Sequence, residues 1–186
     1  MKLHEALAVF GFDPAGLTCV DLGCSTGGFT DCLLQHGAEH VYAVDTAYGE
    51  LAWKLRQDDR VTVSERSNAL HIKPLGRCDL VTVDLGWTPQ RLAIPAADRW
   101  LAEGPDARII TLIKPHYEAS ADAMGRGRKG KLDDAKAQQI AEKIIEDLAA
   151  IGFKATSYIP SPIRGGKGGN LEYLALLQRY STSKYP

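Results

Sequence analysis

The stretch VDLGCSTGGFTD, Val20 to Asp31, is where the reading of this chain turns. An apolar run ends at Gly23, small residues follow, and Gly27 and Gly28 open a segment with helical apolar spacing. Glycine loses more backbone entropy on folding than any other residue. Glycines spent this densely make a tight turn or let a ligand lie against bare backbone. A strand, then a glycine loop, then a helix is also where a parallel α/β sheet places a ligand, beyond the carboxyl end of its first strand.

Working outward, Thr18 to Leu22 reads as a buried strand, and Gly28 to His36 as a helix with Phe29, Cys32 and Leu33 on its inner face. Leu3, Ala6, Leu7 and Phe10 are spaced for a first helix that stops near Gly11. His40 to Asp45 is a second strand, Leu51 to Arg56 a short helix, and VTVSE from Val61 a third strand, with an irregular stretch around Asn68. CDLVTVD ends a fourth strand at Asp84, Pro89 to Leu101 reads as a helix, and ARIITLIK ends a fifth strand at Lys114. A polar, glycine-rich loop is expected next. A long helix follows, with Ala137, Ile140, Ile144, Ile145, Leu148 and Ile151 as its buried stripe and Gly152 just past its end. FKATSYI and NLEYLALL are two closing strands, joined by PSPIRGGKGG. Strands alternating with helices predict one α/β domain, residues 1–186, built on a mostly parallel sheet covered on both faces.

Composition limits the partners. The 186 residues are 45% hydrophobic and carry a formal net charge of −1, so any nucleic acid must be held by a local basic patch. No apolar run approaches the roughly 20 residues that cross a bilayer, and the amphipathic start lacks the cleavage site of a secretory signal, so no membrane partner is expected. Cys19, Cys24, Cys32 and Cys78 show no CxxC spacing. Free thiols in a reducing cytoplasm fit them better than a zinc site or disulfides, and no metal is expected.

The loop order selects a cofactor class. A dinucleotide fingerprint, GxGxxG, brings a pyrophosphate to its middle glycine, but here Cys24 and Ser25 stand where that glycine would fall. The spacing Gly23, Cys24, Ser25, Thr26, Gly27, Gly28 suits a ligand without a pyrophosphate, such as S-adenosylmethionine, with its amino-acid end along the backbone. Asp45, ending the second strand, suits two ribose hydroxyls; as a lone residue it could equally close a turn. Asn68 is placed for an adenine edge, or again for a turn. Asp84, Lys114 and Glu172 all fall at strand ends, where they could meet at one sheet edge or serve as a surface ion pair and an edge-strand charge.

Taken together, VDLGCSTGGFTDCLLQHGA, VYAVDTAYGELAWKLRQDDRV, ERSNA, LIKPHYE and PSPIRGGKGGNLEYL resemble the FtsJ-like ribose methyltransferases, specifically their TlyA-like (haemolysin-like) branch, over nearly the whole chain. The resemblance implies a Rossmann-like S-adenosylmethionine-dependent methyltransferase fold, a seven-stranded, mostly parallel sheet with an antiparallel last strand. It implies S-adenosylmethionine as cofactor and a ribose 2′-hydroxyl of ribosomal RNA, or of a ribosomal particle, as acceptor. It also implies a catalytic Lys-Asp-Lys-Glu set falling on Lys2, Asp84, Lys114 and Glu172, and cofactor contacts at Gly27, Phe29, Asp45 and Asn68. Gly23, Ser25, Thr26, Gly28 and Asp84 complete the expected cofactor site. Two departures stand out. His116 replaces the family's usual Gln in KPHYE, and reads as a neutral filler of that place. The small basic RNA-binding domain that the branch carries ahead of the enzyme is missing from this sequence.

A ribose hydroxyl is a poor acid, so it must be aimed at the methyl group and its proton drawn off. Lys114 is the expected contact, either as a base favoured by nearby positive charge or as an orienting ammonium kept charged by Asp84 and Glu172. Arg126, Arg128, Lys129 and Lys131 in GRGRKGK, with Arg164 and Lys167 in IRGGKGG, are the expected RNA contacts, or else solvated loop charge. A non-catalytic cofactor-binding subunit and a methyltransferase for another RNA or a small molecule are the alternatives.

Overall fold

A computed structural model describes residues 2–122, 132–165 and 169–180. Thirteen regular elements follow in order: α1 (Lys2–Phe10), β1 (Thr18–Leu22), α2 (Gly28–Gln35), β2 (His40–Val44), α3 (Trp53–Arg56), β3 (Val61–Ser64), β4 (Leu80–Val83), α4 (Gln90–Asp98), β5 (Arg108–Ile113), α5 (Pro115–Asp122), α6 (Asp134–Asp147), β6 (Phe153–Pro160) and β7 (Tyr173–Arg179). A 3₁₀ turn, Leu148–Ile151, ends α6.

The strands form one seven-stranded sheet in the order β3-β2-β1-β4-β5-β7-β6. β1 to β5 pair in parallel, whereas β7 runs antiparallel between β5 and β6. The single reversed strand matches the expected architecture. It also has a consequence for chemistry: Ile113 pairs with Tyr173, so the start of β7 lies beside the carboxyl end of β5.

Side chains alternate across the sheet with the pleat. Val20, Leu22, Val81, Val83, Ile109 and Ile113 share one core with Trp100 and with residues of α4 and α6. Cys19, Val41, Ala43, Leu80, Ile110 and Leu112 share the other with α1, α2 and α3. Strands buried on both faces lack a polar side, which is why they read as continuous apolar runs. All four cysteines are buried free thiols, and burial pushes the Cys19, Cys24, Cys32 and Cys78 thiols up. No helix among the described residues is long and apolar enough to cross a membrane.

Three local expectations change. The segment after β5 is helical from Pro115 to Asp122, where a loop was expected. Its apolar periodicity is weak, but Pro115 occupies the first helical position, where its fixed φ favours a start. The Glu118 carboxylate also accepts the Gln90 amide at 2.8 Å, fastening α5 to the start of α4. α4 ends at Asp98 instead of Leu101; Trp100 and Leu101 leave the helix to fill the core, and Leu101 bridges to Cys78. On α6 and the turn that ends it the expected stripe is buried only in part: Ala137 and Leu148 are enclosed, Ile140, Ile144 and Ile145 half-buried, and Ile151 exposed, while Ala141, outside that stripe, is enclosed as well.

Candidate functional site

The glycine loop is built around a carboxylate that the sequence reading passed over. Gly27 caps the N-terminus of α2 with φ 98° and has no side chain with which to take a free helix amide. Asp21, buried in the middle of β1, supplies the missing acceptor. Its Oδ2 accepts from the Thr30 amide at 2.9 Å and the Thr30 hydroxyl at 2.7 Å, and its Oδ1 accepts from the Thr82 hydroxyl at 3.0 Å. One side chain thereby ties β1, β4 and the first turn of α2 together, with its charge near the positive end of the helix dipole. Burial pushes the Asp21 carboxyl up to about 6, the Thr30 and Thr82 hydrogen bonds opposing it. An aspartate inside an otherwise apolar strand was the signal available in the sequence.

Gly23 and Gly27 are required by space as well as by conformation. A Cβ on Gly23 would sit 2.6 Å from the Asp84 carbonyl oxygen, which lets β1 and β4 approach closely at the mouth of the site. A Cβ on Gly27 would run into the Leu51 and Leu55 side chains. Gly28 faces open space. Of the three, therefore, only Gly28 has open space where a side chain would begin, and it borders a cavity.

Two cavities meet at Gly23, Ser25 and Asp84. One, of about 480 Å³, is lined by Asp45, Thr46, Ser67, Asn68, Leu85 and Lys114 among others. The second, of about 290 Å³, adds Lys2, Thr26, Gly28, Phe29 and Ile163. The nine expected cofactor residues divide between these cavities, apart from Gly27, which lines neither. The pair has the size and linkage for a nucleoside joined to a short charged tail. The Asp45 carboxylate accepts from the Ser25 amide at 2.8 Å and the Ala47 amide at 2.8 Å, so it shapes the loop while keeping a second lone pair on each oxygen. Asn68 Oδ1 accepts from the Leu70 amide at 2.8 Å, the turn role, which leaves its amide hydrogens for a ligand.

Lys2, Asp84, Lys114 and Glu172 come together at this edge from α1 and the ends of β4, β5 and β7. The Lys2 ammonium donates to Glu172 Oε2 at 2.6 Å. Lys114 forms an ion pair with Asp84 and also lies 3.5 Å from the Leu85 carbonyl oxygen. Gly165 makes room for Glu172, because a Cβ there would fall on the carboxylate. His116 is half-buried beside the same groups. Burial holds its imidazole below the usual range; Glu172 opposes that, and Lys114 and Lys2 add to it.

Among the described residues, three other than glycine have positive φ: Ser25 at 48°, Arg66 at 52° and Trp87 at 58°. They follow β1, β3 and β4, so the strain collects at the edge that holds the cavities. Trp87 is 68% exposed and stacks on Tyr117, ring centroids 4.2 Å apart and planes 27° apart. Lys114 Nζ lies 5.9 Å from the Tyr117 ring centroid, which puts this aromatic ledge next to the ion pairs.

The expected RNA contacts fare differently. Arg164 is committed to a two-pronged pair with Asp134, at 2.8 and 2.7 Å. Arg126, Arg128, Lys129, Lys131 and Lys167 lie outside the described residues. No cluster of three or more metal-binding side chains occurs among the described residues.

Comparison with known proteins gives the family. The model of the family described as FtsJ-like methyltransferase matches residues 1–179. YqxC of Bacillus subtilis is 40% identical over 94% of this chain. The 16S/23S rRNA (cytidine-2′-O)-methyltransferase TlyA of Mycobacterium tuberculosis is 38% identical over 95%. The chain spans 62% and 66% of those two proteins' lengths, just under two thirds. The crystal structure of a haemolysin-named protein from Lactococcus lactis superposes with a TM-score of 0.85 at 36% identity, covering 96% of this chain and 86% of that one.

Proposed function

The chain belongs to the FtsJ-like methyltransferase family, and from that premise we propose that it transfers a methyl group from S-adenosylmethionine to a ribose 2′-hydroxyl of ribosomal RNA in the cytoplasm. One observation carries the reading: the Lys2–Glu172 and Lys114–Asp84 pairs stand at the rim of a cleft floored by the glycine loop. When bound, the cofactor supplies an activated methyl group on a sulfonium. The rest is work for the chain. Asp45 and Asn68 hold the nucleoside end, and the bare backbone at Gly28 with the start of α2 receives the amino-acid end. Asp84, shared by both cavities, faces donor and acceptor. Lys114 contacts the hydroxyl, held in place by Asp84, while Lys2 and Glu172 close the far wall. Holding two reactants in line is itself worth several orders of magnitude.

The Trp87–Tyr117 ledge offers the base of the acceptor nucleotide a surface to stack on. The basic stretches of sequence at 125–131 and 164–167 supply phosphate contacts; Arg164 reaches them by leaving Asp134. Replacing Arg126, Arg128, Lys129 and Lys131 by Ala then flattens the salt dependence of RNA affinity. The deciding experiment is incubation with methyl-labelled S-adenosylmethionine and ribosomal subunits, naked total RNA or a small-molecule pool, followed by nucleoside analysis. Label in a 2′-O-methylated nucleoside supports the proposal. Label confined to a base, a protein or a small molecule overturns it.

A further inference from the structure

The cavity beside Gly28 has one wall that the glycine loop does not build. About 290 Å³ in volume, it is lined by the loop from Gly23 to Thr26 and by Gly28, Phe29, Lys2 and Asp84. Ile163, from the segment between β6 and β7, completes the lining. In PSPIRGGKGG the eye goes to Arg164 and Lys167, yet it is the isoleucine that borders the cavity. Isoleucine is among the residues most often fully buried; this one is 52% exposed. Its backbone is fixed from both sides. The buried Ser161 hydroxyl donates to the Ile163 carbonyl oxygen at 2.7 Å, and the Ser161 amide donates to the Glu172 carbonyl oxygen at 2.8 Å. Two residues on, the Gly165 amide donates to the Asn170 carbonyl oxygen at 2.9 Å. An apolar side chain thus stands on a rigid mount at the mouth of a cavity, where a ligand could cover it with little ordering cost.

The amino-acid end of S-adenosylmethionine has two kinds of surface. Its tip is charged, and the start of α2 is the place proposed for it above. Between tip and sulfur runs a methylene stem with no polar atom, which no hydrogen bond can hold. Only an apolar wall gains by covering such a stem. Phe29 and Ile163 are the large apolar side chains of this cavity. Phe29 is 9% exposed and has little surface left to lose, so the gain falls to Ile163. We propose that Ile163 is a donor-specificity residue. It covers the methylene stem, and so makes the chain favour ligands that carry the amino-acid tail over nucleosides that end at the thioether. The inference rests on S-adenosylmethionine as the donor and is independent of which group accepts the methyl.

Calorimetry on the full chain with two ligands tests this. S-adenosylhomocysteine carries the tail; methylthioadenosine keeps the nucleoside and the sulfur but ends in a methyl group. Ile163→Ser is expected to weaken S-adenosylhomocysteine about 5- to 10-fold, the scale of a few tens of Å² of lost apolar contact, and to leave methylthioadenosine within about twofold. Ile163→Leu, which keeps the apolar surface, restores the preference for the tailed ligand. Because Ile163 is exposed, its replacement leaves the thermal midpoint near wild type. The loss of affinity then reports the contact and not the fold. Unchanged affinity for S-adenosylhomocysteine in Ile163→Ser overturns the proposal. An equal loss for both ligands overturns it too, since the side chain would then act on the nucleoside site. Wild-type protein that binds neither ligand overturns the donor reading itself, and the role of Ile163 with it.

Discussion

The Lys2 ammonium sits 2.6 Å from Glu172 Oε2, closing a separation of 170 residues and tying the first helix to the start of the last strand. Glu172 is 3% exposed and Lys2 20%, so this pair is largely withdrawn from water. Removing one member of such a pair leaves an uncompensated buried charge, which costs about 3–5 kcal/mol. Lys2→Met is expected to lower stability on that scale by urea denaturation, with Lys2→Met/Glu172→Gln recovering much of the loss. Full recovery of activity along with stability in the double variant would show that the pair only anchors α1.

Lys114 and Asp84 separate transfer from binding. Lys114→Ala is expected to cut methyl transfer by about 10²-fold or more while the affinity for S-adenosylhomocysteine, measured by calorimetry, stays near wild type. Asp84→Ala lowers both, because Asp84 borders both cavities. Unchanged transfer in Lys114→Ala removes that lysine from the mechanism.

Asp21 gives stability an unusual pH dependence. Its carboxyl is raised to about 6 from an ordinary value of 3.8, so between those values the folded chain binds the proton more tightly than the unfolded chain. Stability contributed by this group is therefore greatest at low pH and declines as pH rises from about 4 to about 6, by on the order of 3 kcal/mol. The difference in urea midpoint between wild type and Asp21→Asn, followed over that window, is expected to shift in favour of the variant as pH rises. A constant difference would place the Asp21 carboxyl at its ordinary value.

The two adjacent glycines of the loop are expected to fail differently. Gly27→Val forces a β-branched residue to φ 98° and drives its Cβ into Leu51 and Leu55, so folding and cofactor binding are lost together. Gly28→Ala adds its methyl group to open space at the start of α2, where alanine is the better helix former. Thermal denaturation should show wild-type or higher stability for Gly28→Ala with weakened S-adenosylhomocysteine binding. Equal binding in that variant would mean that the ligand does not approach Gly28.

Much of the architecture was legible in the chain because it is encoded locally. Runs such as Ile109–Ile113, apolar but for Thr111, mark strands covered on both faces, and the spacing of Leu3, Ala6 and Leu7 marks a helix face. The GxxxGG spacing tells against a pyrophosphate ligand before any coordinate is known. Residues 115–122 misled because HYEASAD lacks a clear apolar face, and what holds it helical is a proline start and a carboxylate contact to another helix.

What tertiary structure alone decided is which distant groups share an environment. Reversal of β7 brings Glu172 beside the end of β5, and α1 packing places Lys2 on that carboxylate. Gly27 seemed to be bare for the ligand's sake, yet the space its Cβ would need belongs to Leu51 and Leu55. Asp21 became the cap of a helix it does not belong to. Periodicity along a chain reports which face of an element is buried, but a pair separated by 170 residues, or a charge buried under a loop, depends on packing that no local pattern records.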